Sequence, residues 1–109
     1  MDEARRKQLE AAGYRVSDVQ EFLGLSDAEM AYIDMRIAIR KALRARREAE
    51  GITQKDLATR LGSSQSRVAK IEAGDPSVSL DLLIRALLAT GATVLDIADA
   101  IAPERAQVA

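Results

Sequence analysis

A group of polar and basic side chains between residues 54 and 70 has the chemistry that binds nucleic acid. A Gln amide can pair with the N6 and N7 of adenine, while Arg and Lys donate to guanine or to phosphate oxygens. Serine hydroxyls and backbone N–H groups at a helix start can also bind phosphate. The candidates are Gln54, Ser63, Ser64, Gln65, Ser66, Arg67 and Lys70.

The residue types behind most catalysis and metal binding are missing. The sequence has no Cys and no His, which excludes disulfides, thiol chemistry and the commonest general base and metal ligand. We therefore expect no enzyme activity, no cofactor and no metal. The N-terminal residues lack the apolar run of a signal peptide, and no apolar stretch is long enough to span a membrane. A cytoplasmic protein is the expectation.

Positive charge is concentrated in one part of the chain. Residues 36–72 hold ten basic and four acidic residues, a net of +6, while the rest of the sequence carries −7. This asymmetry fits a module with one polyanion-binding face and acidic flanks. A helix with a solvated charged face is the alternative interpretation.

Capping residues and apolar spacing predict helices and no sheet. Ser26 and Glu29 form a capping box at the start of a long helix, which Gly51 ends. Later helices have similar signals, with starts at Thr53, Ser64, Ser79 and Thr93 and stops at Gly62, Gly74, Gly91 and Pro103. The prediction is an all-α chain of five or six helices. Residues 1–25 form a tail and a short helix, and residues 26–109 form one domain.

The spacing within residues 53–73 meets the requirements of a helix-turn-helix. If Gln54 is position one, small Ala58 falls where two helices cross closely, and Gly62 falls where the turn favours positive φ. Val68 and Ile71 then face inward. Gln65, Ser66, Arg67 and Lys70 face outward, near the helix start that reaches base edges in the major groove.

The segment from Ile39 to Leu95 resembles the Xre/Cro/lambda-repressor type of helix-turn-helix domain. The shared motifs are "Gly-Ile-Thr-Gln", "Leu-Ala", "Leu-Gly-Ser-Ser-Gln-Ser", "Ile-Glu-Ala-Gly" and "Ser-Leu-Asp-Leu-Leu". The resemblance implies a lambda-repressor-like fold with an N-terminal helical extension. It also implies sequence-specific binding to a palindromic operator in double-stranded DNA. Ser63 departs from the pattern, because the family usually has an apolar residue there.

The same resemblance implies roles for three further residues. Gln54 contacts a phosphate and braces Gln65, and Arg47 forms an ion pair with Glu72. The alternative for Gln54 is that it only satisfies N–H groups at its helix start. Arg67 and Lys70 could each reach guanine or phosphate. Weaker phosphate candidates are Arg44, Lys55 and Arg60.

The two ends of the chain suggest protein partners. A last helix with Val94, Ile97, Ala98 and Ile101 is the candidate homodimer contact; simple packing on the preceding helix is the alternative. Residues 16–36 resemble the N-terminal part of HigA-like antitoxins. That resemblance implies repression of the protein's own operon and neutralisation of a small RelE/HigB-type ribonuclease toxin. The alternative is a stand-alone regulator without a toxin.

The candidate partner-binding residues in this leading segment are aromatic or apolar. Such residues dominate the energetics of protein interfaces, and the acidic surroundings suit a basic ribonuclease. They are Tyr14, Phe22, Leu23 and Tyr32. The competing interpretation is that they complete the protein's own core.

Overall fold

The computed structural model describes residues 20–103. Five helices have both ends defined within that range. They are α1 (Asp27–Ala49), α2 (Gln54–Leu61), α3 (Gln65–Ala73), α4 (Leu80–Ala89) and α5 (Val94–Ile101). Residues 20–22 are also helical, and no residue from 20 to 103 lies in a strand. The all-α prediction is confirmed. None of the helices within this range is long and apolar enough to cross a membrane.

The helices begin at the caps that the sequence predicts. Thr53 Oγ1 accepts from the Asp56 amide at 3.0 Å, and the Asp56 carboxylate accepts from the Thr53 amide at 3.1 Å. Thr93 and Asp96 form the same capping box at the start of α5. Each box satisfies N–H groups that have no partner inside the helix, so both helix starts are fixed by local sequence.

Within residues 20–103, the chain divides into two compact units, one up to Ile37 and one from Ala38 onward. The division falls inside α1. In the first unit, the Arg36 guanidinium lies 5.8 Å from the centroid of the Tyr32 ring. Phe22 and Leu23 in this unit are exposed.

The core of the second unit is built entirely from aliphatic side chains. Helices α1 to α4 each supply residues to it, and turn residues close its edges: Ile39, Leu43, Ile52, Leu57, Ala58, Val68, Ile71, Val78, Leu83, Ala86, Leu87 and Ala92. Burying a Leu, Ile or Val side chain stabilises a fold by about 1.5–3 kcal/mol. Because α2 and α3 both pack into this core, it fixes the angle between them.

Candidate nucleic-acid interface

A tight turn joins α2 to α3. Only Gly62, Ser63 and Ser64 lie between the helices. Gly62 has a φ of 64°, a left-handed conformation that costs an L side chain energy. Its N–H donates to the last turn of α2, and the Ser63 amide donates to the Ala58 carbonyl at 2.8 Å. The turn that the sequence predicts at Gly62 is therefore present.

Helix α3 has a buried face and an exposed face. Val68 and Ile71 are buried, as is Ala58 at the crossing with α2. The exposed face carries Gln65, Ser66, Arg67 and Lys70. The predicted inward and outward faces of α3 are confirmed. The contacts of these exposed residues with DNA stay a prediction.

An open groove runs beside the exposed face of α3. It has a volume of about 450 Å³ and is lined by Ser64, Ser66, Arg67, Lys70, Ser77, Val78 and Leu82. Two cations and three hydroxyls thus share one surface. Such side chains bind phosphate oxygens and base edges, so the groove extends the candidate interface to the loop between α3 and α4.

Ser77 is a groove residue that the sequence reasoning missed. Its Oγ donates to Asp75 Oδ1 at 2.7 Å, and its amide donates to the same oxygen at 2.8 Å. These hydrogen bonds lower the pKa of Asp75. The signal was the Asp-Pro-Ser turn at residues 75–77, a local pattern that fixes the loop beside the groove.

The two turn serines have different environments. Ser64 is the N-cap of α3, because its Oγ accepts from the Arg67 amide at 3.2 Å. Ser63 is half-buried, and its amide already donates a hydrogen bond to the Ala58 carbonyl of α2. A phosphate contact from Ser63 would therefore come from its hydroxyl.

A partly buried ion pair joins α1 to α3, as the resemblance implied. Arg47 Nε donates to Glu72 Oε2 at 2.6 Å, and Arg47 Nη2 donates to Oε1 at 2.9 Å. Arg47 Nη1 also donates to the Ile52 carbonyl at 2.9 Å. The hydrogen bonds to Glu72 raise the pKa of Arg47. The pair anchors the end of α3 opposite to its candidate base-reading end.

Gln54 also reaches this ion pair. Its Nε2 donates to Glu72 Oε1 at 3.4 Å, and the side chain is half-buried. The N–H groups at the start of α2 are capped instead by Thr53. Gln54 thus lies where α1, α2 and α3 meet, and its bracing of Gln65 on DNA stays a prediction.

The three weaker phosphate candidates differ in the contacts that their side chains make within the protein. Arg44 Nε lies 3.0 Å from Glu48 in an exposed pair. Arg60 Nη1 donates to the Ala89 carbonyl at 3.1 Å, at the end of α4. Lys55 is exposed. Arg60 therefore has a structural contact of its own, which the sequence did not indicate.

The candidate contact surfaces for protein partners expose large apolar side chains. On α5, Val94 is 77% and Leu95 is 73% exposed, while Ile97 packs against the core. In the first unit, Phe22 is 88% exposed, and Leu23 and Tyr32 are exposed as well. Tyr14 lies outside the described residues. Phe22 therefore belongs to no core within residues 20–103.

Comparison with known proteins gives the family. A profile of the helix-turn-helix family matches residues 43–97. The chain belongs to this family. It is also 33% identical over 69 residues to an uncharacterised HTH-type transcriptional regulator of Haemophilus influenzae, and the alignment covers 63% of this chain and 70% of that protein. No solved structure matches the chain significantly.

The family assignment confirms the coarser part of the resemblance. The matched range runs from α1 into α5, so it contains the helix-turn-helix together with the helices that pack on it. An all-helical chain with this domain is consistent with the lambda-repressor-like fold. The helix-turn-helix thus supplies α3 as its second helix, held at one end by Gly62 and at the other by Glu72.

Proposed function

We propose that the chain is a sequence-specific DNA-binding transcriptional regulator that inserts α3 into the major groove. One observation carries the proposal: α3 buries Val68 and Ile71 while Gln65, Arg67 and Lys70 are exposed together. A helix-turn-helix uses its second helix in this way. The Haemophilus relative bears the name of a transcriptional regulator, which supports the same role, and a DNA-binding regulator of this type would act in the cytoplasm.

The exposed side chains of α3 fall into two groups, one suited to contacts with bases and one suited to contacts with the phosphate backbone. Gln65 is the first residue of α3, and a Gln at this end can form two hydrogen bonds with adenine. Lys70 and Arg67 add positive charge, which attracts the phosphate backbone irrespective of sequence. Ser64 and Ser66 hydroxyls line the same groove and can hydrogen-bond phosphate.

A homodimer on a palindromic operator completes the proposal. Two copies related by a two-fold axis would place two α3 helices about one turn of DNA apart. The exposed Val94 and Leu95 of α5 support this surface as the contact, because large exposed apolar side chains mark interfaces. The dimer would then read both half-sites at once.

Selection of bound duplexes from a random pool tests the DNA-binding proposal. The purified chain should enrich one palindromic sequence. Its affinity there should exceed that for unrelated duplex by at least about a thousandfold at physiological salt. Affinity should fall steeply with added salt. Equal affinity for all sequences, or no salt-dependent binding, would refute the proposal.

A second candidate function is that of an antitoxin, and the exposed Phe22 favours it. This side chain and Leu23 are exposed, and their acidic neighbours in sequence, Glu21, Asp27 and Glu29, are exposed as well. Exposed apolar side chains in an acidic segment suit a small basic partner such as a RelE/HigB-type ribonuclease. The chain would then repress its own operon and neutralise the toxin.

Co-expression with the protein encoded next to this one tests the antitoxin role. A small basic neighbour should co-purify with the chain and should arrest growth when expressed alone. DNA binding without any co-purifying or growth-arresting neighbour would favour the stand-alone regulator.

A further inference from the structure

We propose that Arg40 of α1 is a positioning residue for DNA recognition: it holds the C-terminal end of α3 by crossing over Gly74 and donating to the Glu72 carbonyl. The inference rests on the proposed DNA-binding function. Neither the helix-turn-helix spacing nor the Arg47–Glu72 pair accounts for this contact.

Arg40 approaches the end of α3 closely. Its Nη1 donates to the Glu72 carbonyl at 3.3 Å. The last carbonyls of a helix lack partners within the helix and carry partial negative charge. A guanidinium is well suited to this position because it offers several donors and a permanent positive charge.

Gly74 makes room for the Arg40 side chain. A Cβ atom at Gly74 would lie 3.0 Å from Arg40 Nε, 3.2 Å from Cζ and 3.3 Å from Cδ. Gly51 also has a positive φ, of 69°, but a Cβ there would meet open space. Gly74 thus adopts a φ of 81° that favours glycine, and a side chain there would also displace Arg40 from its present position.

Two arginines of α1 therefore hold one residue of α3. Arg47 binds the carboxylate of Glu72, and Arg40 binds its main-chain carbonyl. The core holds the buried face of α3, and the Arg47 pair holds the Glu72 side chain. The Arg40 contact adds a restraint on the main chain at the C-terminal end of α3.

Because Gln65 lies far along α3 from Glu72, a small rotation at the Glu72 end produces a large displacement at the base-reading end. Gln65 is seven residues from Glu72, or about 10 Å along the helix axis. A rotation of about 5° at the Glu72 end would displace Gln65 by about 1 Å. That shift is large compared with the tolerance of a two-bond contact to adenine.

The proposal differs measurably from a direct contact between Arg40 and phosphate. Loss of a phosphate contact weakens binding to all sequences alike and lowers the slope of log K against log salt by about one. Loss of a positioning contact weakens binding only to the operator and leaves that slope unchanged. Arg44 lies on α1 one turn after Arg40, lines a second open groove together with it, and is exposed. It therefore supplies the matched control.

The decisive experiment compares Arg40→Ala and Arg44→Ala with the parent chain at a temperature where all three are fully folded. We expect Arg40→Ala to bind the selected operator about fivefold more weakly, which is the change in affinity expected for the loss of one hydrogen bond. Binding to unrelated duplex and the salt slope should not change. Arg44→Ala should keep its preference for the operator. Equal behaviour of the two variants, or equal losses on both duplexes, would overturn the inference.

Amide hydrogen exchange tests the restraint without DNA. The Gly74 and Asp75 amides donate to carbonyls of the last turn of α3, so they report on that end. They should exchange about fivefold faster in Arg40→Ala and at the parent rate in Arg44→Ala, at matched global stability. Unchanged rates in Arg40→Ala would refute the restraint even if the chain bound no DNA.

Discussion

Arg47 and Glu72, twenty-five residues apart in sequence, face each other with two parallel hydrogen bonds in the interior of the helix-turn-helix unit. The Arg47 side chain is 13% exposed and the Glu72 side chain 5%. Neither charge has much contact with water, so each depends on the other for its stabilisation. This dependence predicts how the fold responds to loss of either partner.

Removal of one partner should destabilise the fold severely. Glu72→Ala or Arg47→Met leaves a buried charge without its partner, which costs about 3–5 kcal/mol of unfolding free energy. The double variant Arg47→Met/Glu72→Leu should cost less than either single change, because no lone charge remains. Chemical denaturation measures all three. The exposed Arg44–Glu48 pair is the control, and Arg44→Ala should cost no more than about 0.5 kcal/mol. A Glu72→Ala cost as small as that of Arg44→Ala would contradict the pair's burial.

Features determined by neighbouring residues could be predicted from the sequence. The capping box of Thr53 and Asp56 spans four residues, and the left-handed turn at Gly62 is encoded by one. The inward face of α3 follows from helical spacing, which puts Val68 and Ile71 on one side. In each case the controlling interaction lies within one or two helical turns.

Contacts that depend on tertiary packing could not be predicted in the same way. Arg40 and Arg60 are basic residues on exposed-looking helix positions, and nothing nearby in sequence shows that they bind the carbonyls of Glu72 and Ala89. Tertiary packing also separates the residues of the predicted dimer face on α5 into buried and exposed ones. Ile97 turns to the core, while Leu95, left out of that prediction, is 73% exposed.

Gln65→Ala should reduce specificity more than general affinity. The change removes two hydrogen bonds to adenine, with an expected loss of about 1–3 kcal/mol at the operator. Lys70→Ala is the informative comparison. If Lys70 binds phosphate, its loss weakens binding to every duplex and lowers the salt slope by about one. Titration of operator and unrelated duplexes at several salt concentrations separates the two. An equal loss for Gln65→Ala on both duplexes would remove Gln65 from base reading.

Acid should weaken the capping boxes. Hydrogen bonds from the Thr53 backbone and side chain lower the pKa of Asp56 below its ordinary value of 3.8. A carboxyl whose pKa is lower in the folded state stabilises the fold above its unfolded pKa, and this contribution disappears as pH falls through the folded pKa. Asp56→Asn should therefore be less stable than the parent chain at pH 6, and the difference should shrink below about pH 4. Thermal unfolding across this range measures it, and a difference independent of pH would contradict the ionised cap.

The exposed apolar face of α5 should control oligomeric state. Leu95→Glu places a charge on this surface, which a self-complementary contact brings close to its copy. The variant should remain folded, because Leu95 is outside the core, yet it should sediment as a monomer and bind half-sites without cooperativity. Leu88 on α4, 44% exposed, provides a comparison through Leu88→Glu. A Leu95→Glu chain that sediments like the parent would exclude α5 from the contact.

Phe22→Ser separates partner binding from folding and from DNA binding. Because Phe22 is 88% exposed, the change should alter the unfolding free energy by less than about 0.5 kcal/mol. Operator affinity should also be unchanged, since the residue lies outside the helix-turn-helix. Capture of a basic partner should instead weaken by roughly 2 kcal/mol or more if Phe22 is an anchor. Leu95→Glu is the reciprocal control, which should keep partner capture while losing the dimer. If Phe22→Ser unfolds the chain, the residue serves the protein's own core, and the antitoxin proposal loses its main support.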